Sequence, residues 1–568
     1  SVAFQAMDLT SIKAVVAELR KDILPSRFEK AQQPEPNSLQ IGLRTLQGLK
    51  WIEISWDSEA PRFVEISSPN KSGTQSTLAR QIQHGLKNLA LVEIAQEGFE
   101  RVIQISFAIR PNDPVKKILV LELMGRHSNL FLLDHHQKII TLGRQIRSHQ
   151  SRLRPISTGD IYLSPPPLKG IKPNKEESFT RWKERLSLVP IKLKAALQSN
   201  YQGISPSLAM QLTSEIKENS HEILNLEVDK ISSGTWKKIH QRWIIWLEAI
   251  EKDNFRLEFK GPTDFKLWGS TPTSKKKLKG TSLQLGNYYR DHLNSRKINQ
   301  LGKHIFQGLI KLKKEELASL DRQKDLLSKT SEDKLLQEKA DKILCLESPN
   351  KEQIEKAQKL YKIAKKLRRS VSVIKERIIY HQQKVENVEE SLNFLDDLLT
   401  TSWDEQSNKI NRLIDLKNEL EEYLIKPKKN IKGPTNKASN MPIPLEVVSA
   451  NGALIQIGRN HRQNELISLK KARKGDLWFH AQECSGSHVV LKSSIQVSTE
   501  EDVQLAADMA ALFSRGKGNK TVPVIIAPAE RLQRIQTCVP GTVRHQNGEI
   551  IWGQPERALR YLPINKSQ

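Results

Sequence analysis

The sequence predicts an α+β protein of several domains. In order these are a mixed α/β N-terminal domain, a helix-hairpin-helix module, a long antiparallel coiled-coil hairpin and an α+β C-terminal domain. Three observations predict this. Strand-like alternation fills both ends of the chain, apolar residues at steps of three and four cross its middle, and Pro/Gly-bearing segments separate the blocks. At 568 residues the chain also exceeds the ~250–300 residues that one core usually holds.

In the first block, residues 1–163, LTSIKAVVAELRKDIL reads as a helix. SLQIGLRTL, LKWIEISW, RFVEISS, RVIQISFAI, KKILVLELM, SNLFLLD and KIITLGRQI then read as strands. SPPPLKGIKP, Ser164 to Pro173, is a stiff exposed linker. The second block, residues 174–255, is helical. Its NYQGISPSLAMQL sets a Gly and a Pro between helical patterns, as in a helix-hairpin-helix whose turn N–H groups can hold a phosphate or serve packing alone.

The third block, residues 288–425, is the most periodic. Val371, Ile374, Ile378, His381, Val385, Val388, Leu392, Leu395 and Leu399 form a coiled-coil seam, resuming at Ile410 and Leu413 after a break near Trp403. A looser arm carries Ile305, Leu309, Leu312, Leu317 and Leu320, and ESPNKEQ with Pro349 reverses the chain between the arms. Each arm reaches roughly 75–80 Å at ~1.5 Å per residue, which suits a large partner or a dimerisation coil. Basic segments, STPTSKKKLKG and KPKKNIKGPTNKASNMP, flank the rod and suit a phosphate backbone or solvent. The last block, residues 445–568, returns to strands and holds one capped helix, TEEDVQLAADMAALFSRG.

Ninety Lys and Arg against 64 Asp and Glu give a formal charge of +26, pointing to a polyanion: nucleic acid first, an anionic membrane surface second. No run of about 18 apolar residues can span a bilayer, and the start lacks the pattern of a secretory signal. Cys345, Cys484 and Cys538 are odd in number and far apart, so no disulfide framework follows. The expected compartment is the cytoplasm.

Motifs for catalysis are missing. RGKGNKT lacks the Gly-Lys-Ser/Thr of a phosphate-binding loop and reads as a basic loop, and no cofactor motif is present. GDLWFHAQECSGSHVVLKS places His480, Cys484 and His488 four residues apart. A metal needs three or four placed ligands, and no fourth stands nearby, so no metal is expected. A hairpin would instead bring His480 and His488 together, to meet RNA or to serve the fold.

GDLWFHAQECSGSHVVLK, led by GRNHRQNELISLKKARKGD and followed by AADMAALFSRGKGNKTVPV and VPGTVR, resembles the RNA-binding signature of the NFACT-domain family. ERVIQISF, VLELMGRHSNLFLLD, RPISTGDIYLSPPP and YQGISPSLA resemble that family's N-terminal domain. The family includes RqcH and NEMF and was once called fibronectin-binding. The resemblance implies binding to large ribosomal subunits (rRNA and proteins) blocked by peptidyl-tRNA. It also implies recruitment of charged tRNA, alanine-accepting in the family, for untemplated C-terminal tails that mark the fragment for degradation. Bond formation would fall to the ribosome, so no enzyme and no cofactor is expected. A small RNA-binding translocation helper of the RqcP type is the implied protein partner, and no membrane is involved.

By the resemblance, the family's Asp-Arg pair for tRNA falls on Glu100-Arg101 and an early acidic position on Asp8. Arg126 is a further RNA contact and Asn129 a turn former. In the last domain Asp476, Trp478, His480, Gly486 and His488 match, Trp478 being either core or stacking platform, whereas Cys484 matches nothing. The rod tip, ILCLESPNKEQIEKAQKLYKIAKKL, is shorter than is usual in the family. Two other classes compete. An extracellular adhesin lacks the expected signal and anchor here, and a DNA glycosylase would need an N-terminal proline and a four-Cys finger that SVAF and three cysteines do not supply.

Overall fold

The computed structural model describes residues 3–70, 76–146, 154, 156–269, 280–425, 441–546 and 548–563. Residues 270–279 and 426–440, which make up most of the two basic flanks, lie outside these. The chain divides into two compact units, Ser1–His292 and Leu293–Gln568.

The first unit opens with helix α1 (Leu9–Asp22), started by the Asp8 side chain accepting from Ser11 N–H and ended by Arg20 and Lys21, which suit the carbonyl end of the helix dipole. Strands β1 (Ser26–Gln32), β2 (Ser38–Thr45), β3 (Gly48–Ser55) and β4 (Arg62–Ile66) precede α2 (Thr77–Leu86). Then come β5 (Ala90–Ala95), β6 (Val102–Ala108), β7 (Lys117–Glu122), β8 (Asn129–Leu133) and β9 (Ile139–Leu142). All nine form one antiparallel sheet in the order β4-β3-β2-β1-β5-β6-β7-β8-β9.

The helical module holds α3 (Phe179–Ser187), α4 (Leu193–Asn200), α5 (Pro206–Thr213), α6 (Lys217–Leu224) and α7 (Ser233–Glu251), with a short pair β10 (Glu258–Phe259) and β11 (Phe265–Lys266) behind them. Its core is aromatic. Trp182, Trp236, Trp243, Trp246 and Tyr201 are all buried and meet mostly edge to face or tilted, the arrangement the ring quadrupole favours. α5 starts with Ser205 as cap and Pro206 at its first position, where proline costs no hydrogen bond.

The rod is built from α8 (Thr281–Lys329), α9 (Glu332–Leu344), α10 (Lys351–Thr400) and α11 (Gln406–Glu419). Asn350 and Gln353 form a reciprocal capping box at the start of α10, directly after Pro349, which fixes the reversal. The first arm is broken at Thr330–Ser331 rather than continuous. Along α10 the expected seam holds at Ile374, Val385, Val388 and Leu395. Towards its end Leu399 is exposed, whereas Ser391, Phe394, Asp397 and Leu398 are buried. The reason is a third surface, the C-terminal sheet domain, packed on that end of the rod.

That domain consists of β12 (Leu445–Val448), β13 (Leu454–Ile457), α12 (His461–Glu465), β14 (Leu477–Ala481), β15 (Val489–Leu491), α13 (Glu500–Leu512), β16 (Val522–Pro528), β17 (Gln533–Arg534), β18 (Val543–Arg544), β19 (Glu549–Gly553) and α14 (Pro555–Ala558). Six strands form an antiparallel sheet in the order β12-β13-β15-β14-β16-β19. α13, started by the Thr499–Asp502 capping box, packs on the face carrying Ile455, Ile457, Phe479, Ala481, Val489, Leu491 and Val524.

The joint with the rod centres on Arg459, whose side chain is 1% exposed. Its guanidinium donates to Asp397 at 3.0 Å and to Asp404 at 3.1 Å, and lies 4.9 Å from the Trp403 ring centroid. Nearby, His461 Nε2 is 2.9 Å from Ser391 Oγ, and its Nδ1 is 3.5 Å from Glu390 Oε2. Glu419 accepts the backbone N–H groups of His461 and Arg462 at 3.2 and 2.7 Å. Lys517 and Asp396 add an outer pair at 2.9 Å.

Arg459→Ala leaves Asp397 and Asp404 buried without their shared cation, and should lower the unfolding free energy by about 3–5 kcal/mol in a urea titration. Arg459→Lys should recover little, because a single ammonium does not span two carboxylates as the guanidinium fork does. The joint is also pH-sensitive. Burial, then the like charges of Glu386 and Glu419, pushes Glu390 up to about 8, and burial raises Glu419 to about 7 and lowers His461 to about 4. A raised carboxyl stabilises fully below its ordinary 4.5, and that contribution is lost as pH rises through the folded value. A depressed histidine stabilises fully above 6.5 and loses that contribution as pH falls towards 4. The urea midpoint should therefore drop between pH 6.5 and 8, where only the carboxyls titrate, and Glu390→Gln should flatten the drop.

Candidate nucleic-acid interface

Two places gather the residues singled out by the sequence, one in each unit. In the first unit, Val102 at the start of β6 pairs with Glu122 at the end of β7. The loop before β6 and the turn after β7 therefore share one end of the sheet. Leu123 N–H donates to the Arg101 carbonyl at 2.9 Å, so Arg101 stands beside the turn that carries Arg126. Arg101 is partly buried, and its guanidinium has no hydrogen-bond partner among the described residues. Burial lowers its pKa, while the charges of Asp8 and Glu100 work the other way. A partly desolvated guanidinium with unfilled donors is suited to a phosphate or a base edge. Arg126 is exposed, with Nε 3.2 Å from His127 Nε2.

Asp8 plays a structural part. It is buried, accepts Ser11 N–H and O–H at 3.0 and 2.8 Å, and accepts Ser205 O–H at 2.6 Å. Ser205 Oγ in turn accepts Leu208 N–H at 3.0 Å. One carboxylate thus joins the starts of α1 and α5, at the hairpin turn whose N–H groups were a candidate phosphate holder. Gly203 in that turn has φ +79°, and a Cβ there would meet Leu9 and Phe99 side chains at 2.8 and 2.9 Å. Asn129 closes its turn, exchanging bonds with the Arg144 N–H and carbonyl at 2.9 and 2.7 Å.

Lys13, which the sequence did not single out, stands beside the loop before β6. It donates to Gln96 at 3.1 Å, lies 5.8 Å from the Phe99 ring centroid, and has its pKa lowered by burial. Its trace in the sequence is its place one helical turn after Leu9 in α1.

In the second unit Asp476 is buried. It accepts from Lys492 Nζ, from Ser494 N–H and O–H, and from Arg473 N–H. Burial pushes this carboxyl up, but those donors outweigh burial and hold it below the usual range. Asp476 therefore ties down the ends of β14 and β15. Gly486 lies in the turn between them, where its hypothetical Cβ would approach Ser514 Cβ at 3.1 Å.

Trp478 and His480 share one face of β14, and the His488 ring joins them from the start of β15. His480 lies parallel to Trp478 at 5.7 Å and 6°. His488 stands edge-on to Trp478 at 5.4 Å and to His480 at 5.5 Å. His545, which the sequence reading did not single out, stacks on Trp478 at 5.9 Å. Trp478 is 3% exposed, so these rings already occupy its surroundings. His488 is buried, with Nδ1 2.8 Å from Ser468 Oγ, and burial lowers the pKa of both His480 and His488. Trp478 Nε1 and His545 Nδ1 are buried without a hydrogen-bond partner among the described residues. Cys484 is partly exposed in the turn, and no described group of three or more His, Cys, Asp or Glu is arranged to hold a metal.

Residues 8–348 match the family described as NFACT N-terminal and middle domains, and residues 444–547 match the NFACT protein RNA binding domain. Over 575 residues the chain is 22% identical to the Rqc2 homolog RqcH of Streptococcus suis, covering 94% of this chain and 96% of that protein. Over 591 residues it is 22% identical to the Rqc2 homolog RqcH of Bacillus subtilis, covering 97% and 98%. The solved C-terminal part of the fibronectin/fibrinogen-binding protein from Streptococcus suis aligns at 24% identity with a TM-score of 0.38, over 48% of this chain and 99% of that one. The family match covers more than half of the sequence, with the N-terminal and RNA-binding domains in order: the chain belongs to the NFACT family.

Proposed function

We propose that this protein is a ribosome quality-control factor that binds large ribosomal subunits still holding peptidyl-tRNA and recruits charged tRNA to them. The observation that carries this reading is the end-to-end correspondence with proteins named Rqc2 homolog RqcH, which spans 94–97% of the chain and includes an RNA binding domain. The net charge of +26 suits a polyanionic partner of that size. The recruited tRNA is alanine-accepting, and the product is an untemplated C-terminal tail that marks the fragment for degradation. The ribosome makes the bonds, and the chain acts by positioning tRNA rather than as an enzyme. A small RNA-binding helper of the RqcP type assists translocation. The work takes place in the cytoplasm, and among the described residues no helix is long and apolar enough to cross a membrane.

In this reading the tRNA is held at the sheet end carrying Glu100, Arg101 and Arg126, with Arg101 as its main contact, because that guanidinium has donors to spare. Asp8 contributes by fixing α1 against α5 and by its charge near Arg101. The rod grips the large subunit separately.

Crosslinking the protein in cells and sequencing the RNA that co-purifies tests the proposal. Large-subunit rRNA enriched together with one tRNA family supports it and names the amino acid of the tail. RNA scattered without enrichment overturns it. In the same assay Arg101→Ala should lose tRNA by about 10-fold or more, the scale of one charge-assisted contact, while large-subunit rRNA is retained. Equal loss of both would assign Arg101 to the fold instead.

A further inference from the structure

The sheet of the C-terminal domain has a second face, opposite α13. Register fixes its membership. Trp478 pairs with Ala527 and His480 with Ile525, Ile525 pairs with Ile550, and Pro523 pairs with Trp552. Directly opposed residues of antiparallel strands project to the same side. Trp478, His480, Ile525, Pro523, Ile550 and Trp552 therefore share one face.

Exposure rises across it. Trp478 is buried beneath the β17–β18 hairpin residues Leu532 and Val543, and His480, Ile525 and Pro523 are partly exposed. On β19, the outermost strand, Ile550 is 53% and Trp552 59% exposed. A large aromatic left open beside an open isoleucine on an edge strand is a costly feature unless something covers it.

Charge favours one occupant. Between Arg515 and Arg560 the chain carries eight Lys and Arg against three Glu and no Asp. Lys520 stands two residues before β16, at the end of the strip where Trp552 lies. Arg544 ends β18, directly before His545, and neither cation has an ion-pair partner among the described residues. Exposed aromatic surface with unpaired cations on the adjoining segments is an arrangement by which proteins take up unpaired nucleotides: bases stack and phosphates meet the cations. The family match of the RNA binding domain ends at residue 547, so β19 lies beyond it.

Resting on the RNA-binding reading of this domain, we propose that Trp552, flanked by Ile550 and Ile525, is a stacking platform for an unpaired base of single-stranded RNA, with Lys520 and Arg544 meeting the neighbouring phosphates. The base adds to the sheet face rather than entering the buried Trp478–histidine cluster.

The test uses the full-length protein and a fluorescein-labelled ten-nucleotide oligo(U), with a 4-thiouridine version for crosslinking and a short RNA duplex as control. Roughly 0.3 M salt suppresses phosphate-only binding elsewhere on the chain. Trp552→Ala should weaken oligo(U) binding about 5- to 100-fold and leave duplex binding and the melting temperature unchanged, whereas Trp552→Phe should keep most of the affinity. Crosslinks should map to residues 550–552. If the wild type binds oligo(U) but Trp552→Ala binds equally well, or crosslinks map elsewhere, the platform is overturned while RNA binding stands. If Phe fails as badly as Ala, stacking is not the interaction. If the wild type binds no RNA at all, the platform and the RNA-binding reading of the domain both fall.

Discussion

The second unit depends on one buried cation. Arg459 leaves the sheet domain just after β13 and reaches the rod, where Asp397 from α10 and Asp404 from the segment before α11 share its guanidinium. Trp403 and Phe513 bring aromatic faces to the same group, within 4.9 and 5.9 Å of their centroids. No apolar side chain does this work, because the attraction is directional: two carboxylates fix where the guanidinium plane lies, and that fixes the register of sheet on rod. Burying three charges is costly unless each is met, and here the two acids meet the one base while the rings supply the remaining surface. The break before α11 places Trp403 and Asp404 where they are needed.

The first unit uses a carboxylate in the same way. Asp8 serves two helix starts at once, its own and, through Ser205, that of α5. Because its oxygens are committed to hydroxyl and N–H donors, it acts on Arg101 through space and not through a hydrogen bond. The acid needed for architecture thus leaves the base beside it unfilled. That division of labour gives different parts to Asp8 and Arg101, which the resemblance had placed at one tRNA site.

Much of the fold was legible in the sequence because it rests on local pattern. β2, β3, β4, β6, β7, β8 and β9 each show their alternation, and the rod shows its seam from Val371 to Val388. β1 and β5 escaped notice. SRFEKAQ is charged and irregular, ALVEIA is short, and the two pair with each other across some sixty residues that no local window spans. At the end of α10 the seam failed as a guide because a third surface arrives there from a part of the chain far away in sequence. The site followed the same rule. The nearness of His480 and His488 was readable from the turn between them. The burial of Trp478, the contribution of His545 and the exposure of Trp552 depend on which strand lies at the sheet edge, and composition does not encode that.

The neutral histidines have a consequence for how this domain responds to ionic strength. Burial lowers the pKa of both His480 and His488, so these two rings favour the neutral form. Attraction to phosphates then belongs to the Lys and Arg of the surrounding loops, whose effect weakens as counterions accumulate. Contact through rings and apolar edges carries no such penalty. A nucleic acid held in this way is kept by charge and bases together, so added salt loosens its hold without abolishing it.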